Sequence, residues 1–275
     1  MFRKARRIFL ALLLLSAIGV LLGILSLNET IRPAPQGLQP TAFREIPTGV
    51  VHSWSETTHP FSGAAAIDID GDGRDEIFVG GGEGQDDWLL AYRDGKLVDI
   101  AAKSGVSSKA ATHGATAIDL DRDGDTDLAV ARNDGVFLLL NEGGTFSSRK
   151  LPLKFEADAV PLSVAVADIE GDGDADLYVS MFVAFPAFRS ATFNDPQHAK
   201  KNLMLRNDGD LTFTDITKES GTAGLQNTFT SAFADLDNDT FANDLCVVDP
   251  RSDAVIVQPV PGTGARYAAF RLDAP

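Results

Sequence analysis

Residues 115–130 read ATAIDLDRDGDTDLAV: a short run of small and apolar residues to Ile118, then Asp119, Asp121 and Asp123 at alternate positions, Gly124, Asp127, and a second apolar run from Leu128. Alternation of this kind, bounded by Gly and Asp, marks two strands joined by an acidic loop. The pattern stands three more times, as AAAIDIDGDGRDEIFV from Ala64, SVAVADIEGDGDADLYV from Ser163 and SAFADLDNDTFANDLCVV from Ser231. Its first aspartates, Asp68, Asp119, Asp168 and Asp235, are 51, 49 and 67 residues apart. A period near fifty is the mark of a repeat architecture.

Within the second unit, strands are predicted at Ala115 to Ile118, Leu128 to Ala131, Val136 to Leu140 and Phe146 to Arg149, with turns at Asn133-Asp134-Gly135 and Glu142-Gly143-Gly144. Four short strands per unit are what a propeller blade requires. Helical periodicity is nearly absent after residue 30, the best exception being Ile100 to Ser104. The expected fold is therefore all-β, a β-propeller region over residues 49–275 of about four four-stranded blades. An open or truncated arc is favoured over a closed ring, because no segment at residues 41–60 supplies a closing strand. The third unit holds an insertion from about Phe182 to Lys201, with Phe182, Phe185, Phe188 and Phe193. Its phenylalanines are expected to cover a neighbouring blade or the end of the array, with partner binding as the alternative reading of so long a loop.

The acidic loops have the chemistry of a hard-cation site. Ca²⁺ takes six to eight oxygens, and carboxylates at positions 1, 3 and 5 of a tight loop converge on one point. Glycine at position 6 allows the turn by which the carbonyl of position 7 and the carboxylate of position 9 close the sphere. The candidate ligands are Asp68, Asp70, Asp72, the Arg74 carbonyl and Glu76 in loop one, and Asp119, Asp121, Asp123, the Asp125 carbonyl and Asp127 in loop two. Loop three offers Asp168, Glu170, Asp172, the Asp174 carbonyl and Asp176. Loop four, with Asp235, Asp237, Asp239 and Asp244, lacks the glycine and is one residue longer, so three Ca²⁺ sites are expected and the fourth is doubtful. An EF-hand needs an acidic residue at position 12 and flanking helices. Position 12 is Val79, Val130, Val179 and Cys246, which excludes it. Mg²⁺, which demands a strict octahedron and keeps several waters, suits a flexible all-oxygen loop less well.

Composition sets the surroundings. The formal charge is −15 over 275 residues, with 44% hydrophobic content, so the chain can bury a core, while an acidic surface excludes nucleic acid as partner. One cysteine, Cys246, allows no intramolecular disulfide, and its strand-like setting predicts a buried small hydrophobe. Arg3, Lys4, Arg6 and Arg7 precede an uncharged, mostly apolar run from Ile8 to Leu27. That order predicts a cytoplasmic basic segment at 1–7, a single-pass signal anchor at 8–27, uncleaved because the run exceeds that of a signal peptide, and a periplasmic or extracellular remainder. Pro33, Pro35, Pro40 and Pro47 make residues 28–48 a semi-rigid linker.

The D-x-D-x-D-G-x-x-D core followed by an apolar strand resembles the FG-GAP/VCBS repeats of integrin α-chain propellers and of bacterial secreted and surface proteins, over about residues 60–260. Asn202 to Gly209, with Thr212-Phe213-Thr214-Asp215-Ile216-Thr217 and Gly221, looks like the corresponding segment of the ASPIC/UnbV, or cartilage-acidic-protein-like, branch. The resemblance implies a β-propeller holding Ca²⁺ between two strands of a blade, and a role in adhesion or recognition of an extracytoplasmic protein or glycan. The chain departs from the family in length, since seven-bladed rings are usual there and four units are countable here. A structural or assembly subunit of an envelope complex is the alternative. An enzyme, a hydrolase or lyase on a propeller scaffold, is disfavoured: His52, His59, His113 and His198 are scattered, no G-x-S-x-G occurs, and carboxylates cluster only in the loops.

Overall fold

The computed structural model describes residues 45–53, 58–185, 187–188, 195–235, 242, 244–249, 254–259 and 268–271. All but Glu45 belong to one compact unit, Ile46–Pro275. The predicted basic segment, the anchor and the linker up to residue 44 lie outside the described residues, as do Asp237 and Asp239 of loop four and Phe193 of the insertion. Among the described residues no helix is long and apolar enough to cross a membrane.

Four sheets of four antiparallel strands make up the fold, an arrangement compatible with a propeller. The first contains β1 (Ala64–Ile67), β2 (Glu76–Val79), β3 (Trp88–Arg93) and β4 (Lys96–Asp99), paired in that order. The second contains β5 (Thr112–Ile118), β6 (Asp127–Arg132), β7 (Gly135–Asn141) and β8 (Phe146–Lys150). A single helical turn, α1 (Ala101–Ser104), lies between them where the sequence predicts one. The third sheet runs β9 (Ala159–Ala167), β10 (Asp176–Val183), then β12 (Leu203–Asn207) and β13 (Phe213–Asp215). Two short strands, β11 (Lys200–Lys201) and β14 (Leu225–Gln226), pair with each other outside it. The fourth runs β15 (Thr230–Ala234), β16 (Asp244–Asp249), β17 (Ala254–Pro259) and β18 (Ala268–Arg271).

Successive side chains of a strand point to opposite faces, so a strand between two packed sheets must be apolar throughout. Strand β6 meets that demand. Leu128 and Val130 join Phe78 and Leu89 of the first sheet, whereas Ala129 and Ala131 join Leu177 and Val179 of the third. Strand β10 repeats the division, with Tyr178 turned to Leu245 and Val247 of the fourth sheet. In β2 only one face is packed: Phe78 is fully buried, and Ile77 beside it is 39% exposed.

The leading ends of the first strands approach one another closely. A Cβ at Gly114 would lie 2.5 Å from the Leu162 carbonyl oxygen and 2.7 Å from the Ser163 Cα, so no larger residue fits between β5 and β9 there. Beside this contact, Phe61, just before β1, meets Phe229, just before β15, with ring centroids 5.7 Å apart.

The structure departs from the sequence-based expectation at three points. The histidines, scattered in sequence, are gathered by the fold: His59 and His113 lie 6.4 Å apart between ring centroids, and His198 stacks on Phe188 at 4.3 Å. Phe182 belongs to β10, not to the inserted loop, because its backbone pairs with Val160; Phe185 and Phe188 of the loop fold back edge-on against His59. Cys246 is half-buried in β16, not buried, since the face of the fourth sheet packed on the third is taken by Leu245 and Val247.

Sheets one and two are also joined by charge. Arg132 at the end of β6 and Asp87 before β3, 3% and 1% exposed, form an ion pair at 2.8 Å. Asp87 accepts a further bond from the Gly81 N–H, and Arg132 bonds the Thr112 hydroxyl and the Val106 carbonyl. Removing one partner strands the other charge without solvent. Arg132→Met is expected to cost about 3–5 kcal/mol in urea denaturation, and Asp87→Leu with Arg132→Met to recover most of it. Equal midpoints for the single and double variants would show that the pair does not hold the sheets.

Candidate metal centre

Each acidic loop leaves the first strand of its sheet and enters the second. Position 2, Ile69, Leu120 or Ile169, turns inward and is buried, which pins the loop to the core. The next turns need backbone that L-residues rarely adopt. Position 6 has φ of 81°, 99° and 87° at Gly73, Gly124 and Gly173, and position 4 has φ of 70°, 63° and 76° at Gly71, Arg122 and Gly171. Glycine takes this conformation without penalty, whereas a side chain costs about 1–2 kcal/mol. Arg122 is thus strained, and its guanidinium reaches across to loop three. It donates to the carbonyls of Gly173 at 2.7 Å and Asp172 at 2.9 Å and pairs with Asp174 at 3.0 Å.

The carboxylates hold the loop backbone in a repeated pattern. Position 1 accepts from the position 6 N–H, at 2.9 Å for Asp68, 3.2 Å for Asp119 and 2.7 Å for Asp168. Position 5 accepts from the position 7 N–H, at 2.9 Å for Asp72 and Asp123 and 2.8 Å for Asp172. Position 9 is buried at the start of the second strand. Asp127 accepts from the N–H of Leu120 at 2.8 Å and of Asn141 at 2.7 Å; Asp176 accepts from Ile169 at 2.8 Å and Asn207 at 2.7 Å. Burial drives both carboxyls up, Asp127 to about 6 and Asp176 to about 7, with neighbouring loop carboxylates adding to the rise. Glu76, one methylene longer, makes only a 3.4 Å bond from Ile69. Its carboxyl is also raised, by burial first and then by Asp70, Asp72 and Asp68.

The three loops are unequal as cation cradles. In loop one, Asp68, Asp70 and Asp72 bring one oxygen each within 4.8 Å of the others; in loop two Asp119, Asp121 and Asp127 do so. Asp119 Oδ1 is buried with no hydrogen-bond partner. Crowding is felt at Asp121, whose carboxyl is raised by burial and by Asp123. Asp123 and Glu76 stand outside these two groups, and Asp125 turns its carboxylate to the Gly143 N–H at 2.7 Å. Loop three forms no such group among the described residues. Asp168 accepts from the N–H groups of Gly171, Asp172 and Gly173, Glu170 faces Arg206 at 3.5 Å, and Asp174 is held by Arg122. In loop four Asp235 ends exposed just after β15, Asp244 opens β16, and the loop between lies outside the described residues apart from Ala242.

Asn141 and Asn207, at the ends of the third strands of their sheets, escaped the sequence reading. Besides closing on position 9 through its N–H, Asn141 donates from its side chain to the Ile69 carbonyl of loop one at 2.9 Å and accepts from Gly144 at 2.8 Å. Asn207 accepts from Gly209 at 3.2 Å. The signal lay in the turns Asn-Glu-Gly-Gly and Asn-Asp-Gly that follow the third strands.

No curated protein matches the chain. Among solved structures, the fold is similar to that of BBS1N in complex with ARL6DN, at 11% identity over 82% of this chain and 70% of that one, with a TM-score of 0.39. It is also similar to the V. cholerae biofilm matrix protein Bap1, at 16% identity over 76% of this chain and with a TM-score of 0.36, the matched part spanning 32% of that protein. The family model of the FG-GAP-like repeat matches residues 68–130 and again 119–179, each match running from one acidic loop through the next. The chain thus carries FG-GAP-like repeats in two overlapping copies, centred on the loops described above.

Proposed function

We propose that the chain is a membrane-anchored, extracytoplasmic β-propeller whose acidic loops bind Ca²⁺ and whose folded part serves recognition or adhesion. One observation carries the metal reading: Asp119, Asp121 and Asp127 converge within 4.8 Å, and Asp119 Oδ1 is buried there without a partner. A buried carboxylate oxygen left unpaired is costly, and a cation removes the cost. The donor set fits a hard ion, since it offers oxygen alone. Loop one offers Asp68, Asp70 and Asp72 in the same way. Bound Ca²⁺ supplies the positive charge that lets these carboxylates stay ionised side by side. The chain's own groups do the rest: positions 1 and 5 fix the loop backbone, and position 9 ties it to the second strand. Loop three brings no three carboxylate oxygens together among the described residues, and its Glu170 faces Arg206, so it is the weakest of the three.

Recognition and location rest on the repeats, on the apolar run from Ile8 to Leu27 behind its basic flank, and on the acidic balance of the chain. The segment from Asn202 to Gly221 carries the likeness to the ASPIC/UnbV branch. An assembly subunit of an envelope complex is the second reading, favoured by the apolar residues Ile77 and Tyr92, 39% and 49% exposed, on the first sheet.

Calorimetric titration of the metal-free chain with Ca²⁺ is expected to fill the sites of loops one and two first and that of loop three more weakly. Saturation at a hundredfold excess over Kd would stabilise the fold by about 2.7 kcal/mol per site. Asp121→Ala is expected to abolish the loop-two site alone, and Asp237→Ala to change little. Identical melting temperatures with and without Ca²⁺ would sink the metal reading.

The raised carboxyls of Asp127 and Asp176 fix the sign of a pH effect. Both bind their proton more tightly folded than unfolded, where a carboxyl titrates near about 3.9. Stability of the metal-free fold from these groups is therefore fully present below about pH 4 and is lost as pH rises through 6 and 7. Urea midpoints of metal-free protein are expected to fall over that window, to fall less in Asp176→Asn, and to hold when Ca²⁺ is in excess. A midpoint that rises from pH 4 to 7 without metal would contradict the burial of these carboxyls.

A further inference from the structure

The trailing ends of the first strands carry the acidic loops; their leading ends enclose something different. One segment from each of the four sheets, ending at Ala64, Thr116, Val164 and Ser231, lines a cavity of about 460 Å³. That volume lies within the range of small-molecule sites. No charged side chain lines it, although the chain carries a formal charge of −15. Ions of either sign would find no counter-charge in this wall.

Hydroxyls and two aromatic rings line it instead. Ser62 and Thr116 donate to the carbonyls of Gly80 at 2.7 Å and Val164 at 2.6 Å, so their hydroxyl protons are engaged and their oxygens are left to act as acceptors. The Ser163 hydroxyl is buried without a hydrogen-bond partner, and rotation about one bond carries it to other staggered positions, from which it can meet a ligand. At the same wall His113 is 5% exposed, and its Nδ1 lies 3.0 Å from the Pro161 carbonyl. A carbonyl only accepts, so Nδ1 holds the proton, and Nε2, buried without a partner, is left as an acceptor. Phe61 and Phe229, edge to face at 5.7 Å, supply an apolar surface. A ligand that suits this wall is uncharged, rich in hydroxyl donors and apolar on one side.

We propose that the cavity between the leading ends of the four first strands binds a neutral sugar residue, its hydroxyls on Ser62, Thr116 and Ser163 and its C–H face on Phe61 and Phe229. The proposal rests on the reading of the chain as a recognition module and names the ligand class. Free sugars and the end residue of a glycan share this chemistry.

The full chain, held in a detergent without a sugar headgroup and in excess Ca²⁺, would be titrated with glucose, galactose, mannose and N-acetylglucosamine and with their methyl glycosides. Saturation-transfer NMR and calorimetry would read binding. At least one sugar is expected to bind with Kd on the order of 1 mM. Binding of glycosides alone would assign the site to glycan ends, and binding of free sugars as well to single sugars; either supports the cavity. Ala64→Leu, which extends an exposed side chain of the lining into the space, is expected to weaken binding about tenfold or more, and Ser163→Ala to weaken it without altering the melting temperature. Failure of every sugar to bind, or binding unchanged by both variants, would overturn the proposal. Ca²⁺-dependent melting of the same samples separates the two readings. A normal Ca²⁺ shift without sugar binding removes the cavity and spares the loops, whereas sugar binding without a Ca²⁺ shift does the reverse.

Discussion

A carboxylate buried at the start of the second strand, Asp127 in one sheet and Asp176 in the next, is the joint on which the loops depend. Both of its oxygens accept backbone N–H groups, one from the loop behind it and one from the end of the third strand. Three backbone segments are thereby tied through one side chain. Such a joint is strong because a charged acceptor strengthens each bond, and demanding because burial opposes the charge. The rise of both carboxyls states that conflict directly. In the first sheet the longer Glu76 relaxes the joint to a single long bond from Ile69, so the loops differ in rigidity while sharing one sequence pattern.

Much of the fold was legible because two periods coexist in the chain. The two-residue period marks strands, and the roughly fifty-residue period marks sheets. In the second unit the predicted strands fall within β5 to β8, differing by at most three residues at the ends. The central strands gave more than their existence: an unbroken apolar run such as Leu128 to Ala131 requires cover on both sides, which only neighbouring sheets supply. What sequence hid was long-range and side-chain specific. The pairing of Arg132 with Asp87 spans 45 residues, and the gathering of His59, His113 and His198 depends on how the third sheet's insertion folds back. At Phe182 the sequence is ambiguous, because an aromatic run followed by Pro186 reads equally as strand end or loop start.

The candidate site shows the same division. Alternating aspartates and the position 6 glycine announced the loops, but not which carboxylates converge. That depends on competing partners: Arg122 on Asp174, Arg206 facing Glu170 and the N–H groups around Asp168 engage loop three with protein, whereas loop two keeps a bare oxygen on Asp119. Arg122 also shows why position 4 tolerates a strained residue once. Its guanidinium covers Gly173 so closely that a Cβ there would lie 2.5 Å from Nη2, so the strain in loop two and the glycine in loop three are parts of one contact.

The two ends of each first strand are therefore chemically opposite. From Ala115, at the cavity, to Asp119, in the loop, the chain advances four residues, about 13 Å of extended strand. One end crowds carboxylates; the other excludes charge altogether. From Gly114 to Ile118 β5 is paired with β6 without a break, so the loop and the point at which Gly114 meets Leu162 and Ser163 stand on one continuously paired stretch. Those backbones touch with no room to slide, and the hydroxyls of the cavity wall stand on the same segments. The acidic loops and the uncharged cavity wall therefore stand on the same four first strands, held at opposite ends by the same backbone pairing, which is how an acidic chain keeps a cavity with no charged side chain in its wall.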